Sequence, residues 1–115
     1  MQGYAPNRAM VILKDENRII GDVRFEPIGR GPQVTYEIGY AIAPTYRRKG
    51  YASEAMRQII SWLDEDVCAD EIVAGCNMEN GASVRTLIKL GFLLDGSSPN
   101  RHAFWWIWEG WDRLR

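Results

Sequence analysis

The chain has 115 residues, 46% of them hydrophobic and 25% charged, with a formal net charge of −1. That length allows one domain, residues 1–115, near the lower size at which a core sustains itself, and the balance of residue types is that of an ordinary globular protein. The near-neutral charge excludes a broad nucleic-acid surface, the apolar runs are too short for a membrane span, and Met1 opens no signal peptide.

In chain order, residues 1–7 read as a loose start. Residues 10–13 and 19–25 read as two strands of a hairpin, turning at Asp15, Glu16 and Asn17. Pro27 to Pro32 is a turn-rich connector. From Tyr36 to Ala43, apolar Tyr36, Ile38, Tyr40 and Ile42 alternate with Glu37, Gly39, Ala41 and Ala43, which is strand periodicity, and Pro44 ends it. Beyond Gly50 the period changes. Ala52, Ala55, Met56, Ile59, Ile60 and Leu63 fall at helical spacing, predicting a helix from about Ala52 to Asp66. Its acidic end, Asp64 to Asp66, opposes the helix dipole and predicts fraying. Glu71 to Cys76 reads as a short buried strand. Asn80 is placed to cap a helix that runs to Leu90 and stops at Gly91. Phe92 to Asp95 and His102 to Trp108 then read as strands around a turn at residues 96–100. The fold class is α/β (α+β): three strands, helix, strand, helix, two strands.

The junction at Arg47, Arg48, Lys49, Gly50, Tyr51, Ala52 and Ser53 is the most informative segment. A strand feeds a short basic loop whose glycine opens a helix. The first amides of a helix lack partners and carry partial positive charge, so this is an anion site suited to phosphate. Lys49 precedes its glycine, which excludes a Walker loop. One glycine in place of three excludes the dinucleotide fingerprint. What remains is Arg47-x-x-Gly50-x-Ala52. Gly50 allows close backbone approach to a diphosphate, Ala52 leaves the helix entrance open, Ser53 adds a hydroxyl, and Arg47, Arg48 and Lys49 add mobile charge. The plainer alternative for three cations in a loop is a solvated turn.

With a second segment, Asn80-Gly81-Ala82-Ser83 followed by Leu87, Leu90, Gly91 and Phe92, the sequence resembles the GNAT superfamily of acyl-CoA-dependent N-acetyltransferases. It is most similar to the branch that includes the ribosomal-protein N-terminal acetyltransferases. The resemblance covers residues 10 to 110 or so. It implies a mixed, mainly antiparallel sheet with two main helices, in the order βββαβαββ. The family's initial strand and two helices have no counterpart here. Those elements commonly cover the acceptor side in the family, so part of the sheet is expected to lie uncovered.

The resemblance further implies acetyl-CoA as cosubstrate, no metal, and direct transfer to a primary amine of a small molecule or of a peptide or protein N-terminus. The strand at Tyr36 parts from the strand at Glu71 so that main-chain groups of Tyr40 and Ile42 meet the pantetheine arm. The amides of Arg48 to Ser53 take the diphosphate, and Asn80 orients the cofactor or only caps its helix. Glu37 is the implied base, acting through a water; its alternative is a solvent-facing strand residue. Ser83 is placed to hydrogen-bond the leaving sulfur, or is simply a first-turn residue. The tyrosine that many relatives use as acid is replaced by Leu87. His102, the single histidine, reads as packing or surface, its alternative being a catalytic base. Trp106 and Trp108 share one face of their strand and Trp105 takes the other, with Trp111 beyond. Core on one face and a homodimer interface on the other are expected. Cys68 and Cys76 form neither a disulfide framework nor a zinc spacing. They read as buried small apolar residues in a reduced cytoplasm. The alternative to an enzyme is a non-catalytic acyl-CoA-binding or interaction module of the same fold.

Overall fold

The computed structural model describes residues 3–5, 7–28, 31–76, 81–97, 104–108 and 110. In chain order these form β1 (Gly3–Ala5), β2 (Arg8–Leu13), β3 (Arg18–Ile28), β4 (Thr35–Ile42), a 3-10 turn (Pro44–Tyr46), α1 (Tyr51–Glu65), β5 (Glu71–Cys76), α2 (Gly81–Leu90), β6 (Phe92–Ser97) and β7 (Phe104–Trp108). The strands make one sheet in the order β1-β2-β3-β4-β5-β7-β6. Only β4 and β5 pair in parallel; every other neighbouring pair is antiparallel. The expected mixed, mainly antiparallel sheet with two helices is therefore the observed one.

Three elements differ from expectation, one of them β6, which runs on to Ser97, paired with β7, where a turn at 96–100 is expected. Residues 1–7 are not wholly a loose start, because Gly3–Ala5 pairs with Arg8–Met10. Asn7, with φ 64°, makes the tight reversal; asparagine tolerates the left-handed region. Three residues are too few to show an alternation. Likewise β3 runs on through Pro27 to Ile28, with Pro27 opposite Tyr36. Proline lacks a ladder donor, yet it is accommodated near a strand end.

Residues opposite each other across antiparallel strands share a face. Val23, Phe25, Ile38 and Ile42 thus face one way, and both helices pack there. Ala55, Met56, Ile59, Ile60 and Leu63 of α1 join Leu87 and Leu90 of α2 in one cluster with these strand residues. Each of these side chains larger than alanine contributes about 1.5–3 kcal/mol by burial. Phe25 meets Trp62 of α1 edge-on, with ring centroids 5.3 Å apart. Trp106 is 4% exposed and belongs to this cluster. Trp108 packs against it and donates Nε1–H to the Leu90 carbonyl at 2.9 Å. One face of the tryptophan strand is therefore core, as expected. The Trp105 side chain, His102 and Trp111 lie outside the described residues.

The opposite face carries Arg8 beside Arg24, Asp22 beside Ala41, and Glu26 beside Glu37. Asp22 is 8% exposed and accepts Arg8 Nε–H at 2.6 Å, with Arg24 Nε at 3.7 Å from its other oxygen. Charge on a helix-free face opposes edge-to-edge and face-to-face association. Cys68 departs from expectation as well. It follows the end of α1 with φ 59° and is exposed, its thiol donating to the Glu65 carbonyl at 3.6 Å. Among the described residues, no helix is long and apolar enough to cross a membrane.

Gly21 on β3 lies directly opposite Ile42. A methyl group there would collide with the Ala41 carbonyl oxygen and the Ile42 side chain. The substitution Gly21→Ala is expected to lower stability by about 1–3 kcal/mol, the usual cost of overpacking. Urea unfolding of the two proteins checks this.

Candidate functional site

Pro44 closes β4 because a proline cannot continue the ladder, and it opens the 3-10 turn as that turn's first residue. Tyr46 anchors this turn to the β2–β3 hairpin, its hydroxyl donating to Glu16 at 3.3 Å and accepting from Arg18 at 3.2 Å. Two left-handed residues follow, Arg48 at φ 64° and Gly50 at φ 84°. Alternation of hand over so few residues turns successive amides toward one concavity, an arrangement suited to anions. Gly50 precedes α1 without any side-chain cap, and the first turn's return bond runs from Glu54 N–H to the Gly50 carbonyl at 3.0 Å. The amides of Tyr51, Ala52 and Ser53 precede that bond and carry the positive end of the helix dipole.

Arg47 is not mobile charge, contrary to expectation. Its Nε–H donates to the Ile42 carbonyl at 2.9 Å. The guanidinium thereby ties the end of β4 to the loop at the wall of the cleft.

The parallel pairing of β4 with β5 runs from Thr35 opposite Glu71 to Ile38 opposite Ala74 and then stops. Gly75 and Cys76 continue only along β7. The two strands part beyond Ile38. Ala43 N–H still bonds Ile20 of β3 at 2.8 Å. Backbone direction alternates along a strand, so the amides and carbonyls of Tyr40 and Ile42 turn the other way, into the gap. The Tyr40 carbonyl meets Arg24 there at 3.4 Å.

Two cavities meet at this gap. The larger, about 570 Å³, is lined by Tyr40, Ala41 and Ile42 of β4, by Tyr46, Arg47, Arg48, Gly50, Tyr51, Ala52 and Ser53, and by Ala82, Ser83, Arg85, Thr86 and Lys89 of α2. The smaller, about 110 Å³, is lined by Arg24, Ile38, Gly39, Tyr40, Met56, Ala74, Gly75, Ser83 and Leu87. Its walls come from both faces of the sheet, and Gly39 and Gly75 put no side chain into the passage. Tyr40 and Ser83 line both cavities, and their hydroxyls are hydrogen-bonded at 3.2 Å.

The fold thus gathers Tyr40, Ile42, Arg47, Arg48, Gly50, Tyr51, Ala52, Ser53 and Ser83 around one cleft. Lys49 does not line it. Asn80 lies outside the described residues. Glu37 lines neither cavity. It stands two residues from Gly39, about 7 Å along the strand, on the face to which the passage opens. Burial first, and then the negative charge of Glu26, pushes its carboxyl above the ordinary range. Leu87 is 2% exposed and packed in the core. Sequence reasoning missed Tyr46, Arg85, Thr86 and Lys89. Helical spacing puts Arg85 and Lys89 on one side of α2, but nothing local says that this side turns toward the loop.

Residues 2–93 match the model of a family described as an acetyltransferase (GNAT) domain. An N-acetyltransferase of Bacillus subtilis named YnaD is 38% identical over 86 residues, which make up 75% of this chain and 49% of that protein. A ribosomal-protein-serine acetyltransferase of Escherichia coli is 28% identical over 98 residues, 83% of this chain and 51% of that one. The chain spans about half the length of these relatives. Among solved structures, a GNAT-family acetyltransferase from Bacillus anthracis superposes with a TM-score of 0.77 and 29% identity, over 88% of this chain and 64% of the other.

The raised Glu37 value has a sign for stability. The folded protein holds that proton more tightly than the unfolded chain does, so stability falls as pH rises from the unfolded pKa through the higher folded one. Above that window the loss is complete and constant. Glu37→Gln is expected to remove this fall, leaving the variant no less stable than the parent at neutral pH. Urea midpoints of both proteins at pH 4 and pH 7 measure the difference.

Proposed function

Because the chain belongs to the acetyltransferase (GNAT) family, we propose that it transfers an acetyl group from acetyl-CoA to the primary amine of a small molecule or of a peptide or protein N-terminus. Acetyl-CoA supplies the acetyl group as a thioester. One observation carries this reading: a cleft that begins at uncapped helix amides adjoins, at Tyr40 and Ser83, a second cavity at the break in the sheet. Its dimensions and chemistry suit a long ligand with an anionic end and a reactive end.

In this reading the amides from Arg48 to Ser53, with Arg47 and Arg48, hold the diphosphate. The gap-facing amides of Tyr40 and Ile42 pair with the pantetheine arm as an added strand would, and one of them polarises the thioester carbonyl. The amine approaches through the passage from the face of Glu37. Burial keeps that carboxyl's proton affinity above the usual level, which suits it to take a proton from the amine through a water. The buried Leu87 offers no proton. Ser83, held by the Tyr40 hydroxyl, is the polar group beside the leaving sulfur. The relative named for ribosomal-protein serine makes a peptide with N-terminal serine the first acceptor to test. An exposed thiol at Cys68 fits the reducing cytoplasm as the setting.

Calorimetry with acetyl-CoA tests the reading directly, and an absence of binding at millimolar ligand would overturn it. Gly50→Glu places a side chain on a left-handed residue and a carboxylate at the phosphate site. It is expected to weaken acetyl-CoA binding by about a hundredfold or more, with an unchanged circular dichroism spectrum as the control for folding. Glu37→Gln and Ser83→Ala should each slow thiol release with the serine peptide by roughly tenfold to a hundredfold. Their acetyl-CoA affinity should stay within about twofold of the parent's, since neither side chain holds the diphosphate.

A further inference from the structure

The α2 wall of the large cleft is basic in a way that the phosphate loop does not require. Arg85 and Lys89 lie at i and i+4, hence side by side on the helix, and both line the cleft opposite the loop. With Arg47 and Arg48 they make four cations among the described lining residues, and no carboxylate is among those described residues. This stands on a chain whose net charge is −1, so the positive potential is local to the cleft. Among the described residues no salt bridge to Arg85 or Lys89 occurs; the described pairs join Asp22 to Arg8 and Arg24. Thr86, between them, turns its hydroxyl proton back to the Ala82 carbonyl at 3.0 Å and so does not compete for an anion as a donor.

Gly81 adds a second observation. Its φ is not in the left-handed region, so its backbone does not demand glycine. A Cβ at that position would lie 3.2 Å from a terminal nitrogen of Arg85. The missing side chain gives the guanidinium its room over the first turn of α2. Along this wall the lining residues run from Ser83, at the inner cavity, out to Lys89, six residues on and about 9 Å away at helical rise. Lys89 therefore stands along this wall away from the junction of the two cavities, while the Arg85 guanidinium reaches back over the first turn of α2.

We propose that Arg85 and Lys89 form a second phosphate subsite, which takes the ribose 3′-phosphate of coenzyme A while the loop amides take the diphosphate. The proposal rests on the acetyl-CoA reading above and adds to it a specificity determinant. A phosphate monoester carries about −1.5 to −2 charges at pH 7. Two adjacent cations balance it, whereas the diphosphate is already matched by the helix amides and by Arg47 and Arg48. The subsite separates coenzyme A from its 3′-dephospho form, which has the same arm, thiol and diphosphate.

The experiment is calorimetric titration of the full chain, and of Lys89→Gln and Arg85→Gln/Lys89→Gln, with coenzyme A and with 3′-dephospho-coenzyme A. The parent is expected to prefer coenzyme A by about tenfold or more at low salt, a preference that shrinks as salt is raised. The double variant should bind the two ligands within twofold of each other, with its affinity for the dephospho form unchanged. A parent that shows no preference, or a double variant that keeps it, overturns the subsite and leaves the acetyl-CoA reading standing. A parent that binds neither ligand overturns both.

Discussion

The parting of β4 from β5 after Ile38 and Ala74 is the constraint on which the rest of the molecule turns. A sheet normally satisfies every interior backbone group through its neighbours, and leaving such groups unpaired in a buried place is costly. Here the ladder stops short on purpose of geometry: β5 keeps its partner β7, β4 keeps its partner β3, and the gap between them exposes the main chain of Tyr40 and Ile42. Arg24 and Arg47 reach two of the carbonyls at this edge. Side-chain donors thus meet acceptors that no strand reaches, and the amides of the same residues point the same way. An extended ligand with amides of its own is the natural complement of such an edge.

Charge is distributed in keeping with that division. The face bearing the helices is apolar beneath α1 and α2 and opens, at the N-terminal end of α1 and along α2, into a cleft lined by cations. The other face is built of mixed charge, with Arg8, Asp22 and Arg24 in contact and Glu26 opposite Glu37. The passage at Gly39 and Gly75 joins the two. An anionic donor and an amine acceptor would approach from opposite sides and meet where Tyr40 and Ser83 are hydrogen-bonded. Electrostatics then favours each partner on its own side. Burial and the neighbouring Glu26 raise the proton affinity of Glu37 on that second face, where the proposed reaction would use a base.

Most of the elements were legible in the residues because their causes are local. Alternation from Tyr36 to Ile42, helical spacing from Ala52 to Leu63, and proline or glycine at the boundaries act within a few residues of each other. β1 was not legible, since three residues carry no period and its pairing depends on a reversal at Asn7. The end of β3 was misjudged because Pro27 suggests a turn unless Tyr36 is known to lie opposite. Cys68 was misjudged for a similar reason. Its small apolar side chain favours burial, but the left-handed turn after α1 turns it outward. Arg47 looked like one of three mobile cations, and only the position of the Ile42 carbonyl shows that it is an anchor.

By itself, the sequence determined that a strand ends at Pro44, that a basic loop with glycine at position 50 opens a helix, and that the first amides of that helix make a place suited to an anion. Those facts follow from backbone sterics and from the helix dipole, which neighbours along the chain set. Tertiary structure alone decided which groups meet across the cleft. It brought the Tyr40 hydroxyl to Ser83, turned Arg85 and Lys89 toward the loop, and half-buried Glu37 beside Glu26. Each of these depends on the distance between residues far apart in the chain, and hydrogen bonding, Coulomb attraction and desolvation act through space, with no trace in the local order of residues.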